Sequence, residues 1–442
     1  SWEYQDEGTT LIFHLNRNIK WHDDKSFTAD DVIFTIHTLL NNRRNAPSQY
    51  KKFISNVKRA DKIDAYTVKV VFQNAYDNSI ENFIFPIISQ HHVGSMDNVY
   101  KSIDHFFPVG TGPYKVDEIE KLKYIKLKKN EMYWKQDKPV SDLIFKIVPS
   151  PEESIGLLEI NDIDIAMSQN HDWEKYLEDK TLSIYDFISN EVEILGFNFS
   201  NSLLMDRRIR QAIAYVIDQD EIIDNVYFGT GIKSDNIYYP NYLGINKALN
   251  TYTYDLEKSK ELLKEAGFEN KDEDIYLEDE QGNDLTLNLL VNSENKNRVA
   301  TAKIIKKSLD KVGIMTKIIY IGYDEYQQYI DQGKFDMFLG GWSVSPVMDF
   351  RFALHSKYNN PIGYYNEYLD YLLVELQRYL PQDEKEKVFH EITDILEQDL
   401  PYYTLLYKEY AIIAKNELVG NVRPNIMNIY NGAENWQIEK IQ

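Results

Sequence analysis

The stretch that decides the fold spans residues 285–342 and reads LTLNLLVNSENKNRVATAKIIKKSLDKVGIMTKIIYIGYDEYQQYIDQGKFDMFLGGW. Its apolar pattern predicts a strand at residues 285–291, an amphipathic helix at 299–312 and a second strand at 315–321. Gly313 follows the helix directly and marks its end. A strand, a helix and a strand in this order form a βαβ unit, whose strands are parallel and joined by a right-handed crossover. The sequence therefore predicts an α/β fold.

The same stretch points to a place where a ligand binds. A further helix at residues 324–332 leads to a third strand at 335–340. In open α/β sheets, ligands lie beyond the carboxyl ends of the strands. We therefore expect a site in the segments that follow two of the strands, residues 292–298 and 341–349. Within the second segment, Trp342 is either a core residue or a platform on which a ligand stacks.

Outward from this unit, the chain continues to alternate strand and helix patterns. A strand is predicted at residues 9–15, and the next helix begins at Thr28, whose hydroxyl can cap it while Asp31 reaches back. An acidic, polar stretch at residues 269–284 is predicted to lie mostly in solvent. The remaining elements are predicted as strands at residues 66–72, 122–128 and 143–148, and as helices at 151–160, from Asp206 and after Asp255.

Composition sets the class of protein and excludes several partners. A chain of 442 residues needs two or three domains, and 43% hydrophobic with 27% charged residues is typical of globular folds. The net charge of -21 repels nucleic-acid phosphates and anionic lipid head groups, so neither is expected as a partner. The absence of cysteine excludes disulfides, thiolate zinc sites and cysteine nucleophiles.

Motifs of catalysis are missing from the sequence. There is no GxGxxG or Walker A nucleotide motif, no GxSxG nucleophile elbow and no HExxH metal motif. Acidic pairs such as Asp23-Asp24 are predicted to be solvated surface rather than the facing carboxylates that a glycosidase needs. We therefore expect no catalytic residues, no metal site and no cofactor, and we predict that the protein is not an enzyme.

Short blocks distributed over nearly the whole chain resemble the family 5 extracellular solute-binding proteins, which include the oligopeptide-, dipeptide- and nickel-binding proteins of ABC importers. Each block is weak alone, but their order and spacing match the family. The blocks are IKWHDD (19–24) with FTADDV (27–32), GTGPYK (110–115), Asn130 with Tyr133 and Trp134, IDI (163–165), DRRIRQAIA (206–214) with Ile217 and Asp218, AGF (266–268), GKFDM (333–337) and GW (341–342).

The resemblance implies a type II periplasmic-binding-protein fold of the α/β class. In this fold two lobes joined by a two-strand hinge enclose a ligand, and a smaller domain extends the first lobe. On this chain, residues 1–109 match the extra α+β domain, residues 110–190 and 409–442 match lobe I, and residues 191–408 match lobe II. We also expect the family's N-terminal segment, which precedes the position of Trp2 and supplies the first strand of lobe I, to be lacking from this sequence.

The implied function is that of an extracellular solute-binding component of an ABC importer, which captures a short peptide or peptide-like solute and delivers it to a membrane permease. The implied partners are the solute and the transmembrane subunits of the permease, and the protein itself is expected to be a monomer. The implied location is the surface of a Gram-positive cell, where a lipid anchor holds the full-length precursor as a lipoprotein, or the periplasm. A nickel chelate or an oligosaccharide as ligand, and a sensory role instead of import, stay open.

The resemblance also implies which residues touch the ligand. Peptide-binding members place an aspartate three residues after the position of Trp342 to hold the α-ammonium group, whereas Ser345 stands there in this chain and cannot form that ion pair. Asp349 is the nearest carboxylate, and Lys296 or Arg298 lies where dipeptide binders grip the peptide carboxylate at a helix start. The other implied ligand contacts are Ser343, Tyr364 and the hinge-side residues Met167 and Ser168.

Overall fold

The structure is a computed structural model that describes residues 1–41, 54–75, 80–96, 107–135, 142–169, 173–234, 236–244, 251–272, 274–345, 347–358 and 360–439. The strands in chain order are β1 (Trp2–Gln5), β2 (Thr10–His14), β3 (Val57–Asp64), β4 (Thr67–Phe72), β5 (Tyr114–Glu120), β6 (Tyr124–Lys129), β7 (Leu143–Lys146), β8 (Ile165–Ser168), β9 (Leu182–Phe197), β10 (Gly231–Ile232), β11 (Thr286–Asn292), β12 (Met315–Ile321), β13 (Met337–Ser343), β14 (Tyr402–Lys415), β15 (Leu418–Val419) and β16 (Gln437–Ile438).

The helices in chain order are α1 (Ala29–Asn41), α2 (Gln90–Val93), α3 (Pro151–Glu159), α4 (Ser202–Met205), α5 (Arg207–Val216), α6 (Gln219–Val226), α7 (Leu256–Glu265), α8 (Lys296–Asp310), α9 (Tyr323–Asp331), α10 (Arg351–Leu354), α11 (Glu367–Glu375) and α12 (Gln382–Asp399). Short 3-10 turns lie at Asp6–Gly8, Ile80–Phe83, Trp173–Tyr176, Tyr242–Gly244 and Ala433–Asn435.

The N-terminal part of the chain forms a four-stranded antiparallel sheet in the order β1-β2-β4-β3. Helix α1 buries its apolar face in a common core with this sheet. The predicted cap of α1 is confirmed, because the N–H of Asp30 donates to the Thr28 hydroxyl at 3.3 Å and the N–H of Thr28 donates to the Asp31 carboxylate at 3.0 Å. Two donors that a helix start leaves without partners are thereby satisfied.

The main sheet has the strand order β10-β14-β9-β13-β11-β12, and β8 pairs with a later part of β14. Strand β11 is parallel to both β12 and β13, which confirms the predicted βαβ unit. Strand β9 is antiparallel to its two neighbours, β13 and β14. The long strands β9 and β14 therefore connect the parallel part of the sheet with the part that carries β8.

Helices cover both faces of this sheet because its central strands are apolar on both sides. Leu289 of β11 belongs to a core that includes residues of α5, α7 and α8. Its neighbour Leu290 belongs to a second core that includes residues of α9, α11 and α12. Successive residues of a strand point to opposite faces, so this part of the chain is a three-layered α/β structure.

Two smaller antiparallel sheets, β5-β6-β7 and β15-β16, lie outside the main sheet.

The predicted third strand of the βαβ region ends at Ser343 rather than at residue 340, so Trp342 lies within β13 instead of past it. Helix α8 begins earlier than predicted, at Lys296. In the acidic stretch 269–284 most residues are exposed as expected, but Glu278 is buried.

The predicted domain boundaries at 190/191 and 408/409 fall inside the long strands β9 and β14. The division of the chain at these positions stays a prediction. Within the described ranges, no helix combines the length and the apolar character that crossing a membrane requires.

Candidate ligand-binding site

The two longest strands, β9 and β14, pair over most of their length but shift their register at two places, and the larger shift, called the irregularity below, lies at Lys408. Val192 pairs with Tyr407 and Ile188 pairs with Glu409, so several residues of β9 lie opposite the single residue Lys408 of β14. Extra residues of this kind bend a strand and increase its local twist. The irregularity coincides with the boundary between the predicted lobes.

Four charged side chains and a tyrosine form a network at this irregularity, called the charge network below. Glu193 accepts hydrogen bonds from Arg298, of 2.7 Å from Nε to Oε2 and 3.2 Å from Nη2 to Oε1. Lys408 Nζ lies 3.1 Å from Glu193 Oε1 and donates to Glu191 Oε2 at 2.8 Å. Tyr410 donates its hydroxyl proton to Glu191 Oε1 at 2.7 Å. Two cations and two carboxylates therefore neutralise one another.

Burial and ion pairing shift the pKa values of Lys408 and Glu191 in opposite directions. The side chains of Arg298 and Lys408 are each 17% exposed, and that of Glu193 is 5% exposed. Burial alone would lower the pKa of Lys408, but the two carboxylates outweigh it and raise this pKa above its usual value. Burial alone would raise the pKa of Glu191, but hydrogen bonds from Lys408 and Tyr410 lower it. Loss of one charged group therefore leaves a partner charge without compensation.

Gly341 brings the two predicted ligand segments together. It pairs with Glu193 across strands β13 and β9. A Cβ atom at Gly341 would lie 2.7 Å from Nη2 of Arg298 and 2.4 Å from the backbone oxygen of Val192. The missing side chain lets Arg298 reach Glu193. The start of α8 and the end of β13 thus meet at the Glu193 carboxylate, and the ligand site expected in these two segments stays a prediction.

Trp342 follows on β13 and is half-buried. Its ring packs edge-on against Tyr402, Phe352 and Phe350, with centroid distances of 5.0, 5.5 and 6.2 Å. The residue is only partly buried, so Trp342 combines core contacts with surface that a ligand can cover. Because successive strand residues face opposite ways, Trp342 and the charge network flank the end of β13 from its two faces.

The residues after the tryptophan are held by local hydrogen bonds. Ser343 is exposed, and its hydroxyl accepts a hydrogen bond of 2.9 Å from the side-chain amide of Asn190. Ser345 is half-buried, and its carbonyl accepts a backbone N–H in a turn. The guanidinium of Arg351 donates to both carboxylate oxygens of Asp349, at 2.9 and 3.0 Å. Asp349, the carboxylate nearest to Ser345 along the chain, is therefore already neutralised by a neighbouring guanidinium.

The other residues that the sequence singled out lie in three different settings. Lys296 is exposed in the first turn of α8. Met167 and Ser168 end β8, where they pair with β14 beyond the irregularity. Tyr364 is buried, its hydroxyl donates to Asp399 at 2.6 Å, and burial raises its pKa. The structure thus encloses Tyr364 in the core, whereas it leaves Lys296 open to solvent.

Sequence reasoning identified Arg298 but missed the residues that surround it. Glu191 and Glu193 interrupt the apolar pattern of β9, and Lys408 interrupts that of β14. A charged residue inside a buried strand needs a partner, because an unpaired charge is costly to bury. Charges within otherwise apolar strand patterns were the available signal.

A group of carboxylates elsewhere could hold a cation. Oxygen atoms of Asp272, Asp274 and Glu278 lie within 4.8 Å of one another. The two aspartates are exposed, and Glu278 accepts the backbone N–H of Lys271 at 2.9 Å. Exposed acidic groups of this kind are common without an ion, so we assign this group no role.

A main α/β sheet with two long paired strands, and with the charge network and a half-buried tryptophan beside them, is the arrangement expected of two-lobed α/β proteins that bind small solutes. A family model described as bacterial extracellular solute-binding proteins, family 5 middle, matches residues 1–363. The chain therefore belongs to family 5 of the bacterial extracellular solute-binding proteins, as the resemblance implied. Members of this family are solute-binding proteins rather than enzymes.

Two relatives show how far the similarity extends. The dipeptide-binding protein of Escherichia coli is 29% identical over 370 residues, which cover 77% of this chain and 66% of that protein. The chain thus spans slightly less than two thirds of that relative. The oligopeptide-binding protein AppA of Bacillus subtilis is 25% identical over 452 residues, which cover 98% of this chain and 82% of that protein.

A solved structure supports the fold. HbpA2 from Haemophilus parasuis superposes with a TM-score of 0.83 at 22% identity, covering 100% of this chain and 90% of that chain. At this level of identity the likeness concerns the fold alone. It confirms the predicted α/β architecture of a type II periplasmic-binding protein with two lobes.

Proposed function

We propose that the protein is the solute-binding component of an ABC importer, and that it captures a short peptide or peptide-like solute for a membrane permease. The observation that carries this proposal is the charge network and the accessible tryptophan at the irregularity of β9 and β14. Relatives described as dipeptide-binding and oligopeptide-binding support a peptide as ligand. A peptide offers the charged ends and main-chain hydrogen-bonding groups that such a surface recognises.

The proposed ligand lies across the end of β13. Trp342 stacks on an apolar part of the solute, and Ser343 and Ser345 supply hydrogen bonds, directly or through water. Lys296 attracts a carboxylate, because the N–H groups at the start of a helix add to the charge of its side chain. A zwitterionic solute thereby finds a cation and hydrogen-bonding groups along one edge of the sheet.

The remaining predicted residues act around these contacts. Met167 and Ser168 contribute from the end of β8, in the other proposed lobe. Arg298 and Asp349, each held by a partner of opposite charge, fix the walls of the site and the electrostatic field within it. Tyr364 supports the site from the core. In this proposal, residues at the sheet edge contact the ligand, and the paired charges behind them hold these residues in place.

Ligand binding closes the proposed lobes by bending β9 and β14. An irregularity in a strand pair is a place where a few residues absorb the change in backbone angles. A solute that touches both lobes binds the closed form better than the open form, so it shifts the population toward closure. The closed form then docks on the permease.

The proposed partners in the membrane are the transmembrane subunits of the permease, and the proposed assembly state is a monomer. The proposed place of action is the outer face of the cytoplasmic membrane. On a Gram-positive cell the full-length precursor is a lipoprotein held by its anchor, and in other bacteria the protein is periplasmic. The description of the family as extracellular supports this placement.

A nickel chelate is the second candidate ligand. The nickel-binding periplasmic protein of Escherichia coli is 22% identical over 441 residues, which cover 96% of this chain. A chelate brings most of its own metal ligands, so the protein needs few donors. An oligosaccharide ligand and a role as a sensor are the remaining alternatives that the experiment distinguishes.

Native mass spectrometry of the purified protein tests the proposed function, since a closed binding protein retains its solute. A retained mass that corresponds to a short peptide and is lost on denaturation supports the proposal. A retained mass that corresponds to a nickel chelate or a sugar would identify that solute, instead of a peptide, as the ligand. A protein that carries no solute, and whose melting temperature does not change with a mixed library of short peptides, contradicts peptide binding.

A further inference from the structure

Glu191 is the accessible carboxylate of the charge network. Its side chain is 38% exposed, against 5% for Glu193. In the pairing of β9 with β13 it stands opposite Ser343, the last residue of β13. Residues opposed in this way carry their side chains on the same face of the sheet. Glu191 is therefore at the edge where ligands of α/β proteins lie.

Glu191 also has hydrogen-bonding capacity that Glu193 has largely used. Each carboxylate oxygen offers two acceptor positions. Glu193 Oε1 faces both Lys408 and Arg298, and its Oε2 accepts from Arg298 again. Within the described part of the chain, Glu191 accepts one bond on each oxygen, from Tyr410 and from Lys408. A further N–H donor can bind Glu191 without displacing a protein group.

The alternatives for binding a cationic group at this edge are weaker. Asp349 is only 10% exposed, against 38% for Glu191, and it accepts hydrogen bonds from the backbone N–H of Arg351 as well as from its guanidinium. Ser345 has no charge and therefore forms no ion pair. Glu191 combines partial exposure, acceptor capacity that no described residue uses, and a fixed orientation, because Tyr410 holds one of its oxygens.

We propose that Glu191 determines the specificity of the site by forming an ion pair with the α-ammonium group of a bound peptide. This inference rests on the proposed peptide-binding function and adds the residue that recognises the amino terminus. Lys408 keeps its contact with Glu193 when the ammonium group arrives, so the ligand adds a donor to Glu191 and no buried charge loses its partner. The lowered pKa of Glu191 keeps its carboxylate ionised at neutral pH.

Two peptide libraries test the assignment. One contains tripeptides to pentapeptides with free amino termini, and the other contains the same peptides with acetylated amino termini. Both are titrated against the wild type, Glu191→Gln and Glu257→Gln, with bound peptide measured by native mass spectrometry. Glu257 is a matched control, since its side chain is 85% exposed on α7 and pairs with Lys260 of the same helix.

We expect the wild type and Glu257→Gln to prefer the free amino terminus by about 10- to 100-fold, the range of a hydrogen bond to a charged group. Glu191→Gln should lose most of this preference and bind the acetylated peptides as the wild type does. A full preference in Glu191→Gln, or equal binding of both libraries by the wild type, overturns the role of Glu191 while peptide binding stands.

A third outcome separates this inference from the proposed function. Wild-type protein that binds neither library refutes peptide binding itself, and the role of Glu191 falls with it. Melting temperatures show whether each variant is folded. If Glu191→Gln unfolds, Glu191→Asp replaces it: a reduced preference, caused by the shorter side chain, supports the assignment, and an unchanged preference overturns it.

Discussion

Arg298 passes within 2.7 Å of the point where a side chain at Gly341 would begin, and it does so on its way to Glu193. The substitution Gly341→Ala is therefore expected to destabilise the fold. Its Cβ would also lie 2.4 Å from the backbone oxygen of Val192, which is fixed by the pairing of β9. We expect a loss of about 1–3 kcal/mol in the free energy of unfolding, measured with a chemical denaturant.

Gly112→Ala is the control for this substitution. A Cβ atom at Gly112 would meet nothing within 4 Å. Its effect on the free energy of unfolding should stay within about 0.5 kcal/mol. Equal stability of the two variants would show that the close approach at Gly341 does not exist in solution.

Lys408→Met should be far more damaging than the loss of an ordinary surface lysine. Without the amine, Glu191 loses its cationic partner, and Glu193 keeps Arg298 as its remaining cationic partner in the charge network. An unpaired buried charge costs about 3–5 kcal/mol, and the partial exposure of Glu191 reduces this figure. We therefore expect a loss of about 2–4 kcal/mol in the free energy of unfolding, with a lower melting temperature.

Lys415→Met is a closely matched comparison. Lys415 lies on the same strand and is also 17% exposed, but its partner Asp164 is 67% exposed, at 2.9 Å. Solvent-exposed ion pairs contribute about 0–1 kcal/mol, so this variant should lose no more than that. Similar losses in both variants would mean that the charge network does not stabilise the fold.

His22 should make the stability of the protein sensitive to weak acid. Its Nδ1 accepts the backbone N–H of Gly110 at 3.1 Å, and its Nε2 lies 3.2 Å from the carbonyl oxygen of Gly112. This arrangement requires a neutral ring with the proton on Nε2. Burial lowers the pKa of His22 below its usual value of 6.5, although the bond to Gly112 opposes this.

The sign of the pH effect follows from the lowered pKa of His22. Below pH 6.5 the unfolded chain takes up the proton more readily than the folded one, so stability is present above this pH and is lost as the pH falls. Unfolding free energies measured from pH 7.5 down to 4.5 should decline less steeply in His22→Gln than in the wild type. Parallel curves would show that His22 has an ordinary pKa in the folded protein.

A comparison of two substitutions should separate the packing role of Trp342 from its proposed role in binding the ligand. Trp342→Ala removes the contacts with Tyr402, Phe352 and Phe350 and should cost about 1–3 kcal/mol, less than a fully buried tryptophan. Trp342→Phe keeps an aromatic ring and should unfold with nearly wild-type free energy, while the affinity for the solute falls several-fold. Calorimetric titration with the solute identified by mass spectrometry provides the second measurement.

The control for Trp342 is Trp134, which is 43% exposed and packs against Tyr133. Trp134→Phe should leave both the free energy of unfolding and the affinity for the solute unchanged. An affinity loss in Trp134→Phe as large as in Trp342→Phe would argue against a specific contact by Trp342.

The βαβ unit could be predicted because its signals are local. Its strands are apolar runs, and the helix ends where Gly313 adopts a φ of +81°. The rule that ligands lie beyond strand ends selected the segment 292–298, and the resemblance to dipeptide binders singled out Arg298 within it. Its partner Glu193 could not be found this way, because periodicity shows which face a residue occupies but not which strand lies beside it.

The position of β9 in the sheet could not be predicted from the sequence for the same reason. This strand lies between β13 and β14, and both partners come much later in the chain. The burial of Tyr364 and its hydrogen bond could not be predicted from the sequence either, because only the fold shows that Asp399 accepts a hydrogen bond from its hydroxyl. Local chemistry could be derived from the residues, whereas their partners required the topology.

The pairing of β8 with β14 sets an order of events during synthesis. Strands β9, β11, β12 and β13 are all complete before β14 leaves the ribosome, so much of the main sheet can assemble early. Strand β8 is made before any of them but pairs with β14, in the register Ser168 with Ala411. Contacts between distant residues form slowly, and unpaired strands expose edges that aggregate. The nascent chain must therefore keep its early edge strand β8 protected until nearly its last strand has been translated.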